Sequence, residues 1–140
     1  MYAISVSTDR KWVVCSTGEG ASIWDAEIQE KVADVEDRNS VNAVDVSPDS
    51  TTFATGADRA VSIWHITSGR RPVGPVKHDF YVTAVRFSPD GERIATASHP
   101  LSLYTYTRNN LRNQAQSSPT HTAMAAITIS SRYSFIFLSP

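Results

Sequence analysis

A phrase of seven residues occurs three times in this chain. Ala3-Ile4-Ser5-Val6-Ser7-Thr8-Asp9 returns as Ala43-Val44-Asp45-Val46-Ser47-Pro48-Asp49, and again as Ala84-Val85-Arg86-Phe87-Ser88-Pro89-Asp90, at offsets of 40 and then 41 residues. A second phrase keeps the same step. Ser22-Ile23-Trp24-Asp25 returns as Ser62-Ile63-Trp64-His65 and, more loosely, as Ser102-Leu103-Tyr104-Thr105. A fixed period of this size makes the chain an array of like units, each of which buries its apolar surface against its neighbours. A single domain of unique design is excluded.

Within a unit the apolar period is that of strands. Ala43 to Val46 alternates small or apolar with polar residues, and Ser47-Pro48-Asp49-Ser50 has turn chemistry, because proline presets φ and aspartate bonds the backbone two residues on. Thr52 to Thr55 reads as a second strand, Gly56-Ala57-Asp58-Arg59 as a tight turn, and Ala60 to Trp64 as a third strand rich in β-branched and aromatic residues. A fourth strand is expected within Arg71 to Lys77, and Pro72 and Pro75 confine it to a sheet edge. Four antiparallel strands in ~40 residues make one blade of a propeller. The fold expected is all-β, a partial β-propeller of four-stranded antiparallel blades, with blades over residues 1–36, 37–77 and 78–106. The 140 residues hold three to three and a half such units, fewer than the ~4–8 of a closed ring.

Composition narrows the function classes. Thirteen basic and 14 acidic residues give a net charge of −1 without a basic cluster, so neither a nucleic acid nor an anionic membrane is an expected partner. The one cysteine, Cys15, forms no internal disulfide and suits a reducing compartment. No apolar leader precedes the first repeat, and no apolar run, Phe135 to Leu138 included, is long enough to span a bilayer. A soluble protein of the cytoplasm or nucleus is expected.

These residues resemble the tryptophan-aspartate (WD) repeat β-propellers. His78, three spacer residues and then Val82-Thr83-Ala84-Val85-Arg86-Phe87-Ser88-Pro89-Asp90-Gly91-Glu92-Arg93-Ile94-Ala95-Thr96 is similar to that family's start-of-repeat text, and Phe53 to Trp64 is similar to its end-of-repeat text. The resemblance covers Tyr2 to about Tyr106. It implies, within each blade, a buried hydrogen-bond chain from a histidine through a serine or threonine and a turn aspartate to the tryptophan. Blade two offers Thr55, Asp58 and Trp64, with Asp37 where the histidine is expected. Blade three offers His78 and Thr96, with Ser98-His99-Pro100 read as a one-residue deletion at the turn and Tyr104 standing for the tryptophan. Blade one keeps Trp24, has Gly18 at the turn and starts too late for the histidine. No blade has all four members, and removal of Asp58 is expected to destabilise more than removal of Asp49.

After Tyr106 the character changes. Residues 107–122 are polar and read as a linker; Ile127 and Ile129 stand 42 residues after Val85 and Phe87, and Phe135 to Leu138 falls where a second strand belongs. Half of a fourth blade and a tail foreign to the propeller are both open readings of residues 123–140.

Catalytic signatures are absent from the text. No nucleophile elbow, phosphate loop, His-Glu-x-x-His or Cys-x-x-Cys occurs, the four histidines are too scattered for a metal site, and neither catalytic residues nor a cofactor are expected. Asp9, Asp49 and Asp90 recur because each unit turns there, Cys15 reads as a small core residue, and Trp24 and Trp64 read as packing anchors between blades, with Trp12 the one candidate for exposure. What is left is surface. The resemblance implies that partners dock on the loops leading into the innermost strands, here Asp37-Arg38-Asn39-Ser40 and Asp79-Phe80-Tyr81. Phe80 and Tyr81 are the sharper signal, since adjacent aromatics in a loop cannot both enter one core and aromatics are enriched at binding hot spots. Arg70 and Arg71 read as a solvated loop end on the opposite rim. The expected function is a non-catalytic protein-protein interaction scaffold, part of a larger propeller or multidomain assembly. A fragment of a propeller hydrolase or dehydrogenase without its catalytic blades, and a truncated product, are the alternatives. An open arc exposes a packing face at each end, so a homo-oligomer that completes the ring through residues 123–140 is also expected.

Overall fold

The computed structural model describes residues 2–37, 39–99 and 102–107, and the two readings of residues 107–140 fall, beyond Thr107, outside them. Eleven strands and no helix appear among the described residues. Strands β1 (Ile4–Val6), β2 (Trp12–Ser16), β3 (Gly20–Asp25) and β4 (Glu30–Glu36) form one antiparallel sheet in chain order. Strands β5 (Val41–Val46), β6 (Thr52–Ala57), β7 (Ala60–His65) and β8 (Val73–Lys77) form the second in the same order. Strands β9 (Tyr81–Phe87), β10 (Arg93–His99) and β11 (Ser102–Thr107) form the third. β8 lies at a sheet edge, where Pro75, which has no N–H to give, does least harm.

The first hairpin of every sheet is the same object built from the repeated phrase. The hydroxyls of Ser7, Ser47 and Ser88 each donate to the carboxylate two residues on, at Asp9, Asp49 and Asp90. Those hydroxyls also accept the amide of the returning strand, from Trp12 at 2.8 Å, Thr52 at 3.1 Å and Arg93 at 3.0 Å. The amides of Arg10, Ser50 and Gly91 close the turns onto the serine carbonyls, each at 2.9 Å. That fourth turn residue is left-handed in all three, with φ of 63°, 58° and 73°, and only the third repeat uses glycine for it. The serine bond is the main cause that lowers the pKa of Asp9 and Asp90.

Two apolar layers join the three sheets. Val14, Ala21, Ile23 and Val35 of the first meet Val41, Val44, Val46, Phe53 and Trp64 of the second. Ala43, Ala54, Val61, Ile63, Val73 and Val76 of the second meet Val82, Val85, Phe87, Ile94 and Tyr106 of the third. The turn expected at Gly56 to Arg59 is shorter. β6 continues through Gly56 and Ala57, leaving Asp58 and Arg59 as a two-residue turn, because Ala57 pairs with Ala60. Gly56 is there to admit the third sheet: a Cβ would stand 2.6 Å from Val82 Cγ1 and 3.0 Å from Val85 Cγ1.

Register also moves the tryptophan's counterpart in the third sheet. Trp64 pairs with Phe53, which pairs with Val46; in the third sheet Phe87 pairs with Ile94, which pairs with Tyr106. Tyr106 therefore takes the place expected of Tyr104. The connection before β11 is one residue longer than the one before β7, not one shorter, since Ser98 pairs with Ser102 across three residues where Ala57 pairs with Ala60 across two.

Of the three tryptophans, Trp64 is buried and Trp12 is half-buried against the first apolar layer. Trp24, expected as an anchor between blades, is 39% exposed, because no described sheet precedes the first. Arg71 is not merely solvated: its guanidinium lies over the Trp64 ring, 5.3 Å from the centroid.

Candidate protein-interaction face

At one end of the sheets the loops entering β5 and β9 lie beside the β2–β3 and β6–β7 turns. The Asp37 amide donates to the Glu19 carbonyl at 2.9 Å, and the His78 amide donates to the Arg59 carbonyl at 2.7 Å. Each loop is thus fastened at its first residue. The residues that follow, Asn39 and Ser40 in one and Asp79, Phe80 and Tyr81 in the other, are exposed. Phe80 is 40% and Tyr81 53% exposed, so neither ring is taken up by a core. Tyr81 begins β9 opposite His99, and the exposed Arg59, whose carbonyl holds the His78 amide, lies in the neighbouring turn. Arg38 lies outside the described residues.

Beneath this face run the buried polar links. In the second sheet Trp64 Nε1 donates to Thr55 Oγ1 at 2.9 Å, and that hydroxyl donates to Asp37 Oδ2 at 3.5 Å. Asp37, buried, thus ends the chain of bonds where the family resemblance implies a histidine. Asp58, expected in the chain, sits half-buried in the two-residue turn and makes none of these bonds. In the third sheet His78 is buried between two rings, edge-on to Tyr104 and to Tyr106, with Nε2 3.4 Å from the Tyr106 hydroxyl. Burial pushes the Tyr106 phenol up to about 12. Thr96 is not joined to His78: its buried hydroxyl has no hydrogen-bond partner among the described residues.

One linking residue was legible in the repeat and went unread. Ser5, Asp45 and Arg86 occupy the same place in the three copies of the phrase, on β1, β5 and β9. Asp45 Oδ2 accepts the Phe87 amide at 2.8 Å, and Oδ1 accepts from Arg86 Nη1 at 3.1 Å and from the Ser5 hydroxyl at 3.3 Å. A single carboxylate ties the innermost strands of all three sheets. Burial raises its pKa, opposed by the Phe87 amide and the Arg86 charge. Opposite charges one period apart were the available signal.

Among the described residues no group of three or more His, Cys, Asp or Glu could hold a metal ion, and no helix is long and apolar enough to cross a membrane. The geometry offers a surface with aromatic anchors over a tied frame.

Sheets of this connectivity, packed face to face at a 40-residue step, are blades of a β-propeller. A chain of the Kuenenia stuttgartiensis hydrazine synthase structure superposes on 78% of this chain with a TM-score of 0.72 at 19% identity, covering 33% of its own length, which establishes likeness of fold alone. The repeats belong to the WD family: the profile described as WD domain, G-beta repeat matches residues 31–65 and 72–99. Periodic tryptophan protein 2 of Arabidopsis thaliana is 41% identical over 59 residues, 41% of this chain and 7% of that protein. Cilia- and flagella-associated protein 52 of Sus scrofa is 30% identical over 96 residues, 68% of this chain and 14% of that protein. The serine-threonine kinase receptor-associated protein of Dictyostelium discoideum is 29% identical over 97 residues, 69% of this chain and 33% of that protein. The chain thus spans a third or less of each of these relatives.

Proposed function

We propose that this chain is a non-catalytic interaction module whose entry into β9, Asp79-Phe80-Tyr81, anchors a protein partner within a larger propeller assembly, in the cytoplasm or nucleus. The observation that carries the reading is the exposure of two adjacent aromatic rings on a loop whose first residue, His78, is buried and fastened. Rigid aromatics desolvate a large area with little loss of side-chain freedom, and so dominate contact energy at interfaces. Arg59, Asn39 and Asp79 supply the polar rim. Arg38 belongs to the same loop set by sequence.

The Phe80→Ala/Tyr81→Ala double variant tests it. Because neither ring is buried, the variant is expected to keep its far-ultraviolet spectrum and thermal midpoint within error. Proteins retained from source extract by the immobilised parent, quantified by mass spectrometry, should be lost from the variant. An unchanged set of retained proteins would overturn the reading, and a large fall in stability would place the rings in the core.

A further inference from the structure

The carboxylate that ties the three innermost strands can keep its buried bonds in either protonation state, and one of its partners depends on the charge. Asp45 is buried, on the face of β5 that with Ala43 meets the third sheet. Its two oxygens have different company. Oδ2 takes the buried Phe87 amide at 2.8 Å, a bond that either an ionised or a neutral carboxyl accepts. Oδ1 takes Arg86 Nη1 at 3.1 Å and the hydroxyl of the half-buried Ser5 at 3.3 Å. The Ser5 oxygen itself accepts the Val46 amide at 3.1 Å, and of its two lone pairs one is left, among the described residues, for a second donor. A proton on Oδ1 therefore finds an acceptor already in place, and the bond between Ser5 and Asp45 reverses its sense without moving a strand. Arg86 is the partner that loses. A guanidinium only donates, so an Oδ1–H turned to Ser5 offers it neither charge nor a well-aimed lone pair. Its side chain is 61% exposed and can pass to water.

We propose that Asp45 is a proton-operated latch, which holds Arg86 against the innermost strands when ionised and releases it, with the bond from β9 to β5 intact, when protonated. Among the described residues Arg86 is the one charged group that faces it. Of the elements packed against β5, β1 and β6 carry no titratable side chain, and Tyr81 stands at the far end of β9. Cys15 of β2 points to the face opposite Val14, which is the one that meets the second sheet. Burial raises the pKa of Asp45 above the ordinary 3.8, opposed by the Phe87 amide and the Arg86 charge. The folded chain thus holds this proton to a higher pH than the unfolded chain does. The stability that neutral Asp45 contributes is fully present below 3.8 and is lost as the pH rises through the raised value, where Arg86 takes over part of the work.

Carbon-13 NMR of the Asp45 carboxyl, followed through an acid titration of the full chain, should show a pKa above 3.8 that moves further up in Arg86→Met. In urea at pH 7 the unfolding constant of Arg86→Met should exceed that of the parent several-fold, and the difference should vanish below the titration point of Asp45. Asp45→Asn stands in for the neutral state, since its oxygen can accept the Phe87 amide and its NH2 can donate to Ser5. Adding Arg86→Met to it should change the unfolding constant at neither pH. Titration of Asp45 at or below 3.8, or at the same pH in the parent and Arg86→Met, overturns the proposal. So does a loss on Arg86→Met that persists below the titration point or in the Asp45→Asn background. Unfolding of the parent before Asp45 titrates overturns it too, because the neutral carboxyl must also be held. If Asp45→Asn does not fold, the carboxyl titrations of the parent and Arg86→Met decide the matter with Asp45 unchanged.

Discussion

Thr55 and Thr96 hold the same place in two repeats, are equally buried, and differ in what their hydroxyls meet. Thr55 takes the Trp64 indole N–H and gives to Asp37; Thr96 has tyrosine where the indole stood, and Tyr106 turns its hydroxyl to His78 instead. Thr55→Val is therefore expected to cost about 1–3 kcal/mol, because it strands a buried indole N–H, whereas Thr96→Val removes a hydroxyl without a partner among the described residues and should be neutral or stabilising by up to about 1 kcal/mol. Urea midpoints of the two variants against the parent check the contrast, and equal losses would contradict it. Tyr106 adds a dependence on pH. Its folded pKa, about 12, lies above the ordinary value of 10.0, so the phenol stays protonated in the fold while the unfolded chain ionises. Its contribution is fully present below pH 10 and is lost as the pH rises toward 12. Tyr106→Phe should flatten the fall of thermal midpoint across that window relative to the parent.

At the scale of the element, the hairpin of Ser-x-Asp decides two outcomes. Arg10 is exposed and left-handed at φ 63°, a conformation that costs a side-chain-bearing residue about 1–2 kcal/mol and glycine almost nothing. After the greater chain entropy that glycine loses, Arg10→Gly should stabilise by about 0.5 kcal/mol and Arg10→Val should destabilise by about 1 kcal/mol. Chemical denaturation of the two variants measures the difference in sign. The same hairpin reverses the expected order of two aspartates. Asp49 accepts from the Ser47 hydroxyl and from both the amide and the hydroxyl of Thr51, at 3.1 and 2.8 Å, and no comparable set holds Asp58 among the described residues. Asp49→Ala should lower the urea midpoint more than Asp58→Ala.

Over the whole molecule, the repeat by itself determined the all-β class, the four strands of the first and second sheets, the turns at Ser47 and Ser88, the edge position of β8 and the family of the repeats. It could do so because apolar alternation and turn chemistry are local and a period copies them faithfully. The exposed pair Phe80 and Tyr81 was legible for a related reason, since two adjacent rings on a fastened loop have no single core to enter. Tertiary structure alone decided which sheet face meets which neighbour. Trp24 and Trp64 both end the text Ser-Ile-Trp, yet one is 39% exposed and the other buried, because burial belongs to the adjoining sheet and not to the residue. Register decided that Tyr106 and not Tyr104 replaces tryptophan, since one added residue in a hairpin shifts every later side chain relative to its partner strand. And only the packing of β1, β5 and β9 side by side brought Ser5, Asp45 and Arg86, 40 and 41 residues apart, within hydrogen-bonding reach of one carboxylate, because distance along a chain says nothing of distance across a sheet stack until the strands are laid together.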